Sequence, residues 1–265
     1  MRLSLSAALA AIGILAGSAV SAACGNTSAG FEQWKASFAQ TAQRAGVGQR
    51  GLQALASARY SNGTIAADRN QKSFKYSLEK FMQVRGSATI IAQGRKRLAR
   101  DAKFYSALEE IYGVPAGVII AIHGMETAFG GFMGDTPVVS AITTLAYDCR
   151  RSDFFIPHAI GALQLVDMGS ITAATQGAKH GELGHTQFLP GNALRYGVDI
   201  DRNGRVDFYN QSDALASTAN FLASKGWRRG AGFQQGQPNF AVIKEWNAAT
   251  VYQQAIAIMG AEMMR

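Results

Sequence analysis

From Phe31 to Ala58, and again from Ser73 to Lys103, apolar residues recur every three or four positions among Gln, Lys, Arg and Ala. That spacing gathers the apolar side chains on one face and predicts amphipathic helix over both stretches. In the second, Phe74, Leu78, Phe81 and Met82 share a stripe, which reads as core. A denser apolar block follows Gly113-Val114-Pro115. Pro115 suits the first helical position, where a missing amide proton costs nothing. Val118, Ile122, Met125 and Phe129 then fall where one face of one helix would carry them. The body reads as mainly α.

The first residues follow a different pattern. Arg2 is followed by a Leu-, Ala-, Ile- and Gly-rich run to Val20, and Ser21, Ala22 and Ala23 supply small residues for cleavage. Residues 1–22 are therefore expected to be a secretory signal peptide, with a retained membrane helix as the other reading. Composition agrees with a folded body: 48% of residues are apolar and only 17% charged, enough for a sizeable core and unlike a disordered tail. The 29 Gly show no Gly-X-Y period and Pro numbers only 5, which excludes a collagen-like chain. Lys and Arg total 26 against 18 Asp and Glu, a formal charge of +8. Such a surplus favours an anionic partner. Export and the absence of a recognised basic motif argue against nucleic acid.

Two cysteines, Cys24 and Cys149, in an exported chain predict one disulfide. Closing a loop of about 125 residues contributes up to roughly 5 kcal/mol in the chain-entropy model. The competing reading makes Cys24 the lipidated first residue of an outer-membrane lipoprotein. Ser21 suits that poorly, and only in that case would the membrane be a partner.

Glu126 interrupts the apolar block one position after Met125. A carboxyl there is expected to be partly desolvated, which raises its pKa and makes it a general acid near neutrality. A buried Glu paired with Arg or Lys is the structural alternative. The run Tyr112 to Gly134, YGVPAGVIIAIHGMETAFGGFMG, resembles the segment carrying the catalytic Glu in the lytic murein transglycosylase B family. Gly181 to Pro190 (GELGHTQFLP), Asp213 to Trp227 (DALASTANFLASKGW) and Val242 to Tyr252 (VIKEWNAATVY) are similar to three further family segments, in the same order.

The resemblance implies a lysozyme-like helical core with an N-terminal helical region. It suggests boundaries at 23–100 for that region, 101–229 for the core and 230–265 for a C-terminal helical segment packing back on the first. It implies a periplasmic enzyme, a monomer, acting on peptidoglycan glycan strands. Glu126 would protonate the oxygen linking MurNAc to GlcNAc while the substrate's own acetamido oxygen attacks the anomeric carbon. Ionised Glu126 would then take the proton of the C6 hydroxyl, giving a 1,6-anhydro end without water. Gly184, Gln187, Phe221, Trp246, Asn247 and Tyr252 would bind substrate, with the Gln187 amide donating to an acetamido carbonyl. Phe221 and Phe81 stand where relatives have Tyr. Asp135, Asp153 and Glu182 remain candidates for the second carboxylate of a hydrolase. Glu182 replaces an Ala of the better-known relatives. A binding protein without chemistry is the non-enzymatic alternative.

Asp199 to Asn210, DIDRNGRVDFYN, meets the calcium-loop pattern, with Asp199, Asp201, Asn203, the Arg205 carbonyl and Asn210 as ligands. Asn210 stands where a bidentate Glu is usual, so a weak Ca²⁺ site is expected. An Asx-type turn needing no ion is the alternative.

Overall fold

The structure, a computed structural model, describes residues 23–70 and 76–265. The expected signal peptide, Ser73 and Phe74 lie outside the described residues. The pattern from Phe31 to Ala58 forms two helices, α1 (Phe31–Arg44) and α2 (Gln49–Ser57). The chain turns at Ala45-Gly46, and the Gly48 and Gly51 amides donate to the Asp167 carboxylate at 2.6 and 2.8 Å. A carboxylate from another helix thus satisfies amides that α2 leaves open and starts it afresh. At its other end, buried Lys35 donates to the Ala56 and Ala58 carbonyls at 2.9 and 2.7 Å. Next comes α3 (Asn62–Arg69), capped by the Ser61 hydroxyl, which accepts from the Thr64 amide at 3.1 Å.

The second predicted stretch also divides, at Arg85-Gly86, into α4 (Leu78–Val84) and α5 (Ser87–Arg100). Phe81 is buried, while Leu78 and Met82 pack partly exposed against the core. After α6 (Ala102–Tyr112) the chain enters α7 (Ala116–Thr127). Pro115 caps α7 and is not its first helical residue. Every residue of α7 except Glu126 is buried. Val118, Ile122 and Met125 lie in the core as expected, but the helix ends before Phe129. Ala128 and Phe129 are left-handed, with φ of 50° and 64°, so Phe129 folds back on His123, ring edge to ring face at 5.3 Å. Burial pushes the His123 imidazole down to about 3 and keeps it neutral.

Beyond α7 come β1 (Thr136–Pro137), α8 (Val138–Tyr147), α9 (Ser152–Met168) and β2 (Gln176–Gly177), the two short strands pairing antiparallel. They are followed by α10 (Pro190–Tyr196), α11 (Gln211–Ser224), α12 (Phe240–Trp246) and α13 (Thr250–Met263). α9 carries α8, α10 and α2, whereas α7 is wrapped by α5, α6, α11 and α13. α13 also packs on α4 and α5, returning to the first part of the chain. Cys24 and Cys149 form a disulfide, their Cα atoms 4.9 Å apart, and the Gly25 amide donates to the Tyr147 carbonyl at 3.0 Å. A sulfur in that bond cannot also carry a lipid. Among the described residues no single helix is long and apolar enough to cross a membrane.

The crossing of α7 and α13 depends on glycine. A Cβ on Gly117 would stand 2.1 Å from the Gly260 carbonyl oxygen. Gly117→Ala is expected to destabilise the fold by about 1–3 kcal/mol through overpacking, read as a lower midpoint in urea unfolding.

Candidate active site

The single carboxyl left unburied on α7 is held from the far end of the chain. Trp246, the last residue of α12, donates its indole N–H to Glu126 Oε1 at 3.1 Å. The Tyr252 hydroxyl, from α13, donates to the same oxygen. Among the described residues no hydrogen bond reaches Oε2, so the carboxyl is oriented by one oxygen and presents the other. Burial pushes Glu126 above the usual carboxylate range, aided by the negative charge of Glu182 and opposed by the Tyr252 and Trp246 hydrogen bonds and by Arg85. Burial and the adjacent Glu126 push the Tyr252 hydroxyl well above its ordinary value, so it stays a donor.

Glu126 opens into a cleft of about 440 Å³ lined by Gln187, Phe188, Phe221, Trp246 and Asn247, with Ala67, Lys179, His180, Glu182 and Asn192 also contributing. Phe188 and Phe221 meet the Trp246 ring edge to face, with centroids at 5.1 and 5.3 Å, and this packing aims the indole N–H at the acid. Phe188 was not among the expected site residues; its burial and its place beside Gln187 make it resemble ordinary core. Phe81 packs behind the site, edge-on to Tyr252 at 6.4 Å. Tyr252 itself is buried, so it serves the acid and does not line the cleft.

Gln187 lies in the cleft with a role reversed from expectation. Its side-chain amide donates to the Gly184 and Met133 carbonyls at 2.7 and 3.3 Å. Both donors are engaged, leaving the amide oxygen as a free acceptor. Gly184 is buried behind it, at φ 62°, where a Cβ would stand 1.9 Å from the Phe208 carbonyl oxygen. It shapes the loop and is not on the cleft surface. Asn247 lines the cleft, and its Oδ1 also accepts from the Ala249 amide at 3.0 Å. Of the three candidate second carboxylates only Glu182 reaches the cleft. Asp153 is exposed on α9, and Asp135 is exposed and paired with Lys179 at 2.6 Å.

The loop between α10 and α11 gathers acids differently from the pattern. Carboxylate oxygens of Asp199, Asp201 and Asp213 lie within 4.8 Å of one another. Asn210 instead caps α11: its Oδ1 accepts from the Ser212 amide at 2.9 Å and its Nδ2 donates to Asp201 at 3.1 Å. The Asn203 amide donates to Asp199 and Asp201 at 3.0 and 3.1 Å, and its side-chain oxygen accepts from the Arg205 amide at 3.0 Å. Asp213 was missed because the twelve-residue pattern ends before it. The available signal was an acid in the first turn of the following helix.

Residues 30–237 match the family described as a transglycosylase SLT domain. The chain belongs to that family. Glu126, Gln187 and Phe221 fall inside the matched span, whereas Trp246, Asn247 and Tyr252 lie beyond it. The chain is 32% identical over 123 residues to membrane-bound lytic murein transglycosylase B of Escherichia coli. That match covers 46% of this chain and 34% of the relative, about a third of its length. Among solved structures it is similar to SltB3 from Pseudomonas aeruginosa in complex with NAG-anhNAM-pentapeptide, with TM-score 0.80, 26% identity and coverage of 88% of this chain and 79% of that one. The Escherichia coli lytic transglycosylase Slt35 in complex with calcium shares the fold at 21% identity, with TM-score 0.71 and coverage of 85% and 92%. The mainly α, lysozyme-like architecture expected from the sequence is thus the one found.

A carboxyl whose folded-state pKa lies above its unfolded value favours folding at acidic pH, and that contribution is lost as pH rises through the folded value. Glu126→Gln is therefore expected to melt at a higher temperature than the parent protein at neutral pH, with the gap closing below the ordinary carboxylate range. Thermal unfolding across pH tests it.

Proposed function

We propose that this protein is an exported lytic transglycosylase that cleaves the MurNAc–GlcNAc bond of peptidoglycan and leaves 1,6-anhydro-MurNAc ends. The observation that carries the reading is Glu126: an acid pushed up by burial, pinned through Oε1 and open at Oε2. SltB3, solved with NAG-anhNAM-pentapeptide, supports the substrate class. So does the positive charge of +8, which suits an anionic wall polymer. The disulfide supports an oxidising compartment, the periplasm.

In this mechanism Oε2–H gives its proton to the glycosidic oxygen as the substrate's acetamido oxygen attacks the anomeric carbon. Negative charge then grows on Glu126, and the Trp246 and Tyr252 hydrogen bonds become charge-assisted and stronger. The same carboxylate next accepts the C6 hydroxyl proton as that oxygen closes on the anomeric carbon and expels the acetamido oxygen. Glu126 ends protonated and no water is consumed. Phe221 and Trp246 offer apolar faces to the sugars. The free Gln187 oxygen suits an acetamido N–H, and Asn247 a sugar hydroxyl.

Digestion of sacculi followed by mass spectrometry of the glycan ends tests this reading. Anhydro ends are expected from the parent protein and a fall in turnover of at least about 10² from Glu126→Gln. Reducing ends would instead indicate a hydrolase, and no released products a binding protein.

We also propose that Asp199, Asp201 and Asp213 hold a structural Ca²⁺. Backbone amides already bind these carboxylates. A cation among the three would offset their mutual repulsion, and their hard oxygens suit calcium. Calorimetry is expected to give a dissociation constant of roughly 10⁻⁴ to 10⁻³ M, with binding and the accompanying thermal stabilisation abolished in Asp213→Ala. No heat at millimolar Ca²⁺ would remove the site.

A further inference from the structure

Glu182 reaches the same cleft as Glu126 from the loop after β2, and it is held there. Its carbonyl accepts from the Ala178 amide at 3.0 Å. Its Oε2 accepts from the His180 amide at 3.2 Å, and its Oε1 lies 3.5 Å from His180 Nδ1. The other imidazole nitrogen, Nε2, stands 3.8 Å from the carboxylate of Asp68, near the end of α3. Asp68 is buried and ion-paired with Arg150 and Arg151. A series of acid, imidazole and acid therefore runs from the open cleft to a pair of guanidinium groups at the start of α9. The charged groups facing Glu182 are Glu126 on α7, His180 on its own loop and Arg151 beside α9. Lys179 lines the cleft as well, but its ammonium turns to Asp135 at 2.6 Å.

In a two-carboxylate glycosidase the second acid attacks the sugar or activates water. Glu182 is poorly suited to either role, since both of its oxygens face His180. What it brings to the cleft is a fixed negative charge. A negative charge in a partly desolvated site opposes ionisation of a neighbouring carboxyl.

We propose that Glu182 is a positioning carboxylate which, held by His180 and Asp68, keeps the proton on Glu126 until the glycosidic oxygen takes it. The inference rests on the reading of Glu126 as the acid. Glu182 exchanges no proton with the substrate and forms no bond. Its negative charge acts in the same direction as burial, pushing the Glu126 carboxyl up.

Two measurements on Glu182→Gln test it, with Glu182→Ala as a second variant should the first not fold. In the pH profile of kcat/KM on soluble glycan strands, the alkaline limb reports Glu126 losing its proton. The limb is expected to move to lower pH, so that the parent-to-variant ratio grows at least about threefold from the acid plateau into the limb. A parallel loss at every pH, with the limb in place, would make Glu182 merely structural and overturn the proposal. Reducing ends made by the parent and lost in the variant would overturn it too, since Glu182 would then be activating water. Without turnover, NMR of isotope-labelled Glu carboxyls, with Glu126 assigned through Glu126→Gln, reads the same proton directly. A lower Glu126 midpoint in Glu182→Gln is the supporting result, and an unmoved midpoint ends the proposal. A moved midpoint in a protein that cleaves no glycan would count against the enzymatic reading alone.

Discussion

A helix buried on every side can keep one ionisable side chain only if its surroundings make a place for it, and α7 meets that condition at Glu126. Desolvation alone would hold the acid neutral and indifferent to geometry. The indole of Trp246 and the hydroxyl of Tyr252 add direction, since both meet the same oxygen. The rest of the architecture can be understood as support for that arrangement: α13 is drawn onto α7 by a glycine crossing, and Phe188 and Phe221 fix the indole plane.

The two walls of the cleft handle charge differently. On the aromatic side, neutral donors accommodate whichever state Glu126 adopts. On the loop side, polar and charged groups are arranged in series, Glu182 to His180 to Asp68 to Arg150 and Arg151. A buried carboxylate such as Asp68 is tolerable only because two guanidinium groups meet it.

Much of this was legible in the sequence where the information is local. The apolar block of α7, the carboxyl interrupting it and the helical character of the flanking stretches follow from spacing alone, and the disulfide from two cysteines behind an expected signal peptide. The breaks at Ala45-Gly46 and Arg85-Gly86 were not legible, because the periodicity continues across each turn and what restarts α2 is Asp167, a distant residue. Phe129 escaped for a similar reason, as a left-handed turn returned it to the core that a longer helix would have reached. Trp246 and Tyr252 were picked out as cleft residues, yet their contact with Glu126 spans nearly half the chain. The direction of the Gln187 amide depends on which carbonyls crowd it, and Asp213 lies one turn past the pattern that gathered its neighbours.

The donors that orient Glu126 follow it by 120 and 126 positions. A chain that emerges amino-terminus first has its acid long before it has the clamp. Contacts so distant in sequence form late, after the loops between them have closed. Until α13 docks, Glu126 is an ordinary carboxyl on a half-assembled helix. Competence at this site therefore coincides with completion of the fold, and a partly made chain carries the acid without the means to aim it.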